Sequence, residues 1–193
     1  MTQFDKTYWE NRYITNETGW AIGHISTPIQ KYIDQLENKK LKILIPGAGN
    51  GYEFDYLIQN GFHQTYVIDI VQQPLDTIFE RTQIDRKHLI HQDFFEHTEK
   101  YDIIIEQTFF CALEPSLRRK YASKMLELLK PNGKIIGVLF NFELTKEGPP
   151  FGGSKEEYVK LFEEHFTVKT LENCYNSIKP RSNRELFIIF EKK

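Results

Sequence analysis

The sequence predicts a doubly wound α/β domain with a mostly parallel sheet. Two observations carry this. After the first forty residues, short apolar runs alternate with segments of helical periodicity. The first of these runs leads straight into a glycine-rich turn that opens a helix, Ile43-Leu44-Ile45-Pro46-Gly47-Ala48-Gly49-Asn50-Gly51.

The apolar runs lie at 41–45, 66–70, 89–91, 102–105 and 134–142. They are continuous, as expected of strands buried on both faces. Between them, 52–59 has apolar residues at helical spacing and stops near Gly61. The segment 74–82 starts at Pro74. Leu117, Tyr121, Met125, Leu128 and Leu129 make one stripe along 117–129, which halts at Pro131-Asn132-Gly133. The end of the chain changes character. Ser154 and Glu157 have the spacing of a capping box for a helix over 154–165. Two further runs, 166–171 and 185–191, predict a closing antiparallel hairpin and bring the count to seven strands. Ser26-Thr27-Pro28 starts a helix to about Glu37, and the aromatic-rich stretch before it stays unassigned.

Length and composition limit the function classes. A chain of 193 residues suits one domain able to bury its own core. With 15 Phe and 10 Tyr the composition is that of a folding chain. A formal net charge of −2 gives no overall attraction to nucleic acid or anionic lipid. The two cysteines, Cys111 and Cys174, form no CxxC pair, so neither a disulfide framework nor a zinc site is expected. The first residues show no basic segment followed by an apolar one, and no run reaches membrane-spanning length. A cytoplasmic location and a monomer are the expectations.

The glycine turn is the most informative stretch. Glycines here let backbone approach a ligand and adopt positive φ. A dinucleotide fingerprint needs GxGxxG, and its third glycine position holds Tyr52. The GxGxG pattern favours an adenosine ligand without pyrophosphate, such as S-adenosylmethionine, over NAD. The absence of a P-loop lysine argues against a nucleoside triphosphate. A tight turn with no ligand is the bland alternative. Asp69 ends the second strand about twenty residues on, where a carboxylate can accept from ribose hydroxyls or simply be solvated. Asp93-Phe94-Phe95 follows the third strand and offers an acceptor and an apolar wall to adenine, or core packing.

These residues, with others, carry a resemblance over nearly the whole chain. They are Trp9-Glu10-Asn11-Arg12-Tyr13; Thr18-Gly19-Trp20 with Gly23 and Pro28; the glycine turn and Asp69; Thr108-Phe109-Phe110-Cys111-Ala112-Leu113 with Pro115, Arg118 and Ala122; and Gly148-Pro149-Pro150-Phe151. In these the chain resembles the thiopurine S-methyltransferase-like family, in its halide and thiol methyltransferase branch. The resemblance implies a Rossmann-like class I methyltransferase fold with an N-terminal cap over 1–40. It implies an S-adenosylmethionine site formed by Trp9, Tyr13, Trp20, Gly47, Gly49, Gly51, Asp69, Asp93, Phe94 and Gln107. Aromatic faces suit both adenine and a sulfonium. Three positions depart from the family pattern: Tyr13 where tryptophan is usual, Ala48 for cysteine, and Glu106-Gln107 for an Asp-Tyr pair.

The implied reaction is methyl transfer to a small soft nucleophile: a thiol, hydrosulfide or halide. Such acceptors are already nucleophilic, so positioning and water exclusion suffice, with no metal and no covalent intermediate. Acceptor-site candidates are Phe109, Phe110, Phe151 and Arg12, with Arg118 and His24 also considered. Arg12 equally suits a structural ion pair, and Cys111 reads better as a packed residue than a nucleophile. His88 and His91 would point to opposite faces of a strand. The alternatives are an O- or N-methyltransferase, a non-catalytic cofactor-binding protein and an NAD-dependent oxidoreductase.

Overall fold

The computed structural model describes residues 4–193; residues 1–3, where the reading of the amino terminus begins, lie outside them. Seven strands form one sheet in the order β3-β2-β1-β4-β5-β7-β6. These are β1 (Ile43–Pro46), β2 (Thr65–Asp69), β3 (Leu89–His91), β4 (Tyr101–Gln107), β5 (Leu129–Phe140), β6 (Phe166–Asn173) and β7 (Glu185–Lys192). Strands β1 to β5 pair in parallel, and β7 runs antiparallel between β5 and β6.

The apolar runs are continuous because each strand feeds two cores. Ile43, Ile45, Val67, Ile103, Ile105 and Ile136 face one side. There they meet α2 (Thr27–Ile33), α3 (Tyr52–Gln59) and α4 (Gln72–Thr82) through Ile29, Phe54, Leu57, Leu75 and Ile78. Leu44, Ile68, Ile104 and Ile135 face the other. There α5 (Arg118–Leu128) and α6 (Lys155–Phe162) supply Tyr121, Met125, Leu128, Tyr158 and Phe162. Each such side chain contributes about 1.5–3 kcal/mol by leaving water. All parallel strands therefore end at one edge, where the loops that follow them converge.

Several boundaries depart from the sequence expectation. The helix expected over 117–129 ends at Leu128, because Leu129 is already extended (φ −90°, ψ 138°) and pairs with Tyr101. The Pro131-Asn132-Gly133 turn thus lies inside β5, as an irregular excursion with Asn132 at φ 61°. Helix α2 stops at Ile33 instead of near Glu37: the amides of Gln35 and Leu36 bond three residues back, tightening the last turn. Helix α6 stops at Phe162, three residues before the expected His165. Helix α4 begins at Gln72, so Pro74 sits third in the helix and not first. The unassigned amino-terminal stretch contains α1 (Lys6–Ile14), capped by the Asp5 carboxylate on the Tyr8 amide at 3.0 Å.

His88 lies in the 3-10 turn Arg86–His88, buried, with Nδ1 2.8 Å from the Thr65 carbonyl. His91 ends β3 and is exposed. Among the described residues no helix is long and apolar enough to cross a membrane.

Candidate active site

The strand ends open into a cavity of about 780 Å³ between the sheet edge and α1. That is ample for a nucleoside-sized ligand and a small second molecule. Strand order divides its floor. The ends of β1, β2 and β3 contribute Gly47, Asp69 and Asp93; the ends of β4 and β5 and the approach to β7 contribute Gln107, Phe140 and Arg184.

In the first half, the glycine turn leaves β1 with Gly47 at φ 76° and Gly49 at φ 50°. A Cβ on Gly47 would lie 2.9 Å from the Phe109 ring. Gly51 lines no part of the cavity. It precedes α3 at φ 74°, and a Cβ there would sit 2.5 Å from Ile78, so this glycine serves the packing of α3 on α4. The Asp69 carboxylate accepts from Ala48 N at 2.7 Å and Val71 N at 2.8 Å. Burial outweighs these bonds and raises its pKa to about 6. Asp93 caps a 3-10 turn through Phe95 N at 2.8 Å, which sets Phe94 edge-on to Phe109 with centroids 5.1 Å apart.

The roof is aromatic. Trp20 meets Trp9 and Tyr13 edge-on, at 5.7 and 5.5 Å between centroids. The Tyr13 phenol is held neutral by burial, beside Asp69 and a backbone hydrogen bond from Gly49. Arg12 also lines the cavity and pairs with Glu17 at 2.9 Å.

In the second half, Gln107 ends β4 with Oε1 buried and without a hydrogen-bond partner. Beneath it, the fully buried Glu106 accepts from Phe109 N (2.8 Å), Phe110 N (2.9 Å) and the Tyr121 hydroxyl (2.5 Å). Its pKa is raised to about 7, burial outweighing those three donors. These bonds bend the chain so that Phe109 faces the cavity. Phe110 turns away: its ring packs edge-on against Tyr121 and Tyr158 with Arg118 over its face, which corrects its assignment to the acceptor site. Arg118 is itself buried, bound to Glu157 at 2.5 Å and the Gly152 carbonyl at 2.6 Å, and is not on the wall of this cavity. Phe151 is likewise buried, with its ring edge-on to Phe4; Pro149 and Pro150 reach the cavity in its place.

Cys111 lines the wall, with its thiol pushed up by burial and Sγ donating to the Thr108 carbonyl at 3.3 Å, as suits a packed residue. His24 lines the cavity, and its Nδ1 donates to the Ile25 carbonyl at 2.6 Å.

Sequence reasoning did not find Phe140, Phe142, Arg181 or Arg184, all of which line the second half. Arg181 donates to the Trp20 carbonyl at 2.8 Å and pairs with Glu185 at 3.4 Å, tying the roof to the far end of the chain. Nothing local in the sequence signals this, because it depends on β7 inserting beside β5.

A family model for thiopurine S-methyltransferase matches residues 4–192. The chain belongs to the thiopurine S-methyltransferase family. It is an S-adenosylmethionine-dependent methyltransferase. A probable thiol methyltransferase 2 of Arabidopsis thaliana is 31% identical over 167 residues, covering 83% of this chain and 74% of the relative. Thiocyanate methyltransferase 1 of the same plant is 27% identical over 190 residues, covering 92% and 81%. Among solved structures, a Burkholderia thailandensis 1,6-didemethyltoxoflavin-N1-methyltransferase with bound S-adenosylhomocysteine superposes with a TM-score of 0.73 at 14% identity, covering 97% and 87%. That likeness concerns the fold.

The residues present fit the cofactor. S-adenosylmethionine offers hydroxyl and amino donors and a sulfonium. The cavity offers the carboxylates of Asp69 and Asp93 at the strand ends, with Asp5 and Glu53 also on its wall, the orphaned Gln107 Oε1 and aromatic faces.

Proposed function

We propose that the chain methylates a small soft nucleophile, foremost a thiol, with hydrosulfide and halide in the same class. When bound, S-adenosylmethionine supplies a methyl group already activated by sulfonium charge. Residues 1–40 act as a cap in a single domain over 1–193, with Trp9, Tyr13 and Trp20 closing on the cofactor. Asp69 accepts from its ribose, Asp93 and Phe94 take its adenine, and Gln107 Oε1 accepts from one of its donors.

The observation that carries the thiol reading is the second half of the cavity. Phe109, Phe140, Phe142 and Cys111 present apolar and polarisable surface, and the ends of β4, β5 and β7 add no free carboxylate. A thiol, with an ordinary pKa of about 8.5, ionises without a dedicated base. Its proton leaves to water, its electron pair forms the new S–C bond, and the displaced pair stays on the donor's sulfur. Phe109 and the aromatic roof exclude water and hold the two molecules in register.

His24 supports a second reading. Its Nδ1–H is committed to Ile25, so Nε2 is an available base that an oxygen or nitrogen acceptor would need. S-adenosylhomocysteine release, measured with a panel of thiols, halides, phenols and amines for wild type and His24→Gln, separates the two. The thiol reading expects turnover on thiols that His24→Gln leaves within about threefold. Turnover confined to phenols or amines and abolished in His24→Gln would favour the second.

The acceptor is expected to be a diffusible small molecule met in the cytoplasm by a monomer. The net charge of −2 gives no overall attraction to nucleic acid or anionic lipid, which supports a small-molecule acceptor.

A further inference from the structure

We infer that the acceptor carries an acidic group apart from its reacting sulfur, and that Arg184 is the residue that pairs with it. This rests on the thiol reading above. The second half of the cavity holds two arginines, and they differ in what they already bind. Arg181 is spent within the fold: Glu185 offsets its charge and the Trp20 carbonyl takes its other donor. Arg184 has no carboxylate at ion-pair distance among the described residues, and its guanidinium lies 4.5 Å over the face of Phe142. Its base is fixed, because the Arg184 carbonyl accepts from Asn141 N at 2.8 Å, across the junction of β5 and β7. Phe142 meets Phe140 at 5.1 Å between centroids. The result is an aromatic pair with a fork-shaped cation stacked on one ring and no carboxylate paired with it among the described residues. That arrangement suits a molecule with an apolar body and a planar acid.

The charge must sit away from the sulfur for a chemical reason. In methyl transfer from a sulfonium to a thiolate, negative charge on the nucleophile disappears. A guanidinium paired with that sulfur would stabilise the ground state more than the transition state and slow the step. A guanidinium paired with a charge that the reaction leaves unchanged contributes equally to both states. Arg184 should therefore govern KM and leave kcat alone.

The test compares 4-mercaptobenzoate with benzenethiol, using wild type, Arg184→Gln and Arg184→Lys. Arg184 is exposed at the cavity mouth, its backbone bonds do not depend on its side chain, and its one ring contact, on Phe142, is at the surface end of that side chain, so the variants keep the fold. Arg184→Gln is expected to raise KM for 4-mercaptobenzoate about three- to tenfold, with kcat within about twofold and benzenethiol unaffected. Arg184→Lys should recover part of the loss. A second readout needs no turnover: the Kd of 4-(methylthio)benzoate for protein loaded with S-adenosylhomocysteine, measured by calorimetry, should rise by the same factor and weaken with salt. Equal effects on both thiols, or no effect on either, would overturn the role of Arg184 and leave the thiol reading standing. Turnover of iodide or thiocyanate without any preference for the acid-bearing thiol would overturn it by placing the charge on the nucleophile. Cofactor binding with no turnover of any thiol would sink the thiol reading, and this inference with it.

Discussion

Two buried carboxylates give the residue scale its clearest consequences. Asp69 has a folded pKa of about 6, above the ordinary 3.8, so the unliganded fold holds a proton that the unfolded chain has released. In the proposed contact with Asp69, ribose hydroxyls donate to the ionised form. Cofactor affinity should therefore rise with pH up to about 6 and flatten above it, falling towards tenfold per pH unit below. Titrating S-adenosylhomocysteine between pH 5 and pH 8 checks this. Asp69→Asn should weaken binding and flatten the profile, and an unchanged slope in that variant would assign the dependence elsewhere. Glu106 is raised from 4.5 to about 7 and lies outside the wall of the large cavity. Between those values the folded state binds the extra proton, so stability contributed by this group is complete below the lower value and lost as pH rises through the upper one. Glu106→Gln should remove up to about 3 kcal/mol of that decline, read as a flatter urea midpoint against pH.

At the scale of elements, the glycine turn separates packing from ligand contact. Gly51→Ala meets both a positive φ and the Ile78 side chain, and should cost about 2–4 kcal/mol in denaturant unfolding. Gly49→Ala meets only φ 50°, since its nearest neighbour is the Trp20 indole at 3.7 Å, and should cost about 1–2 kcal/mol. Equal losses would remove the Ile78 contact as the cause. The same elements explain what the sequence made legible. Helix α3 has the expected bounds 52–59 because its apolar spacing and the turns around it are local signals. The half of the cavity at β1, β2 and β3 was readable for the same reason: a glycine turn or an acid directly follows each strand. The other half was not. Phe142 and Arg184 meet only because β7 inserts antiparallel between β5 and β6, and strand order is not encoded locally. Helix α1 escaped assignment because it buries no residue in a core; its aromatic side chains line a cavity instead, so the usual apolar stripe is missing. Phe110 and Phe151 misled because apolar residues beside a turn face core or cavity according to a single bond rotation, which the Glu106 hydrogen bonds decide at Phe110.

For the whole molecule, α2 anchors one end of the cap in the core through Ile29 and Ile33, while the α1 end is held on by few anchors. Arg181 holds the Trp20 carbonyl, and Glu53 accepts from Ser26 N at 3.1 Å, while α1 rests on aromatic contacts around the cavity. Amides of α1 should therefore exchange faster than those of α3, and slow by at least about tenfold when S-adenosylhomocysteine fills the space below them. Exchange in α1 that ignores the ligand would separate the cap from the cofactor site. In the reaction proposed above, this cavity joins an S-adenosylmethionine methyl group to the sulfur of a small thiol. The most direct test is to incubate the protein with S-adenosylmethionine carrying a deuterated methyl group and a mixture of thiols, and to read the products by mass. One or more thioethers bearing the labelled methyl are expected, formed together with S-adenosylhomocysteine. Bound cofactor with no labelled thioether, or label found only on oxygen or nitrogen, would contradict it.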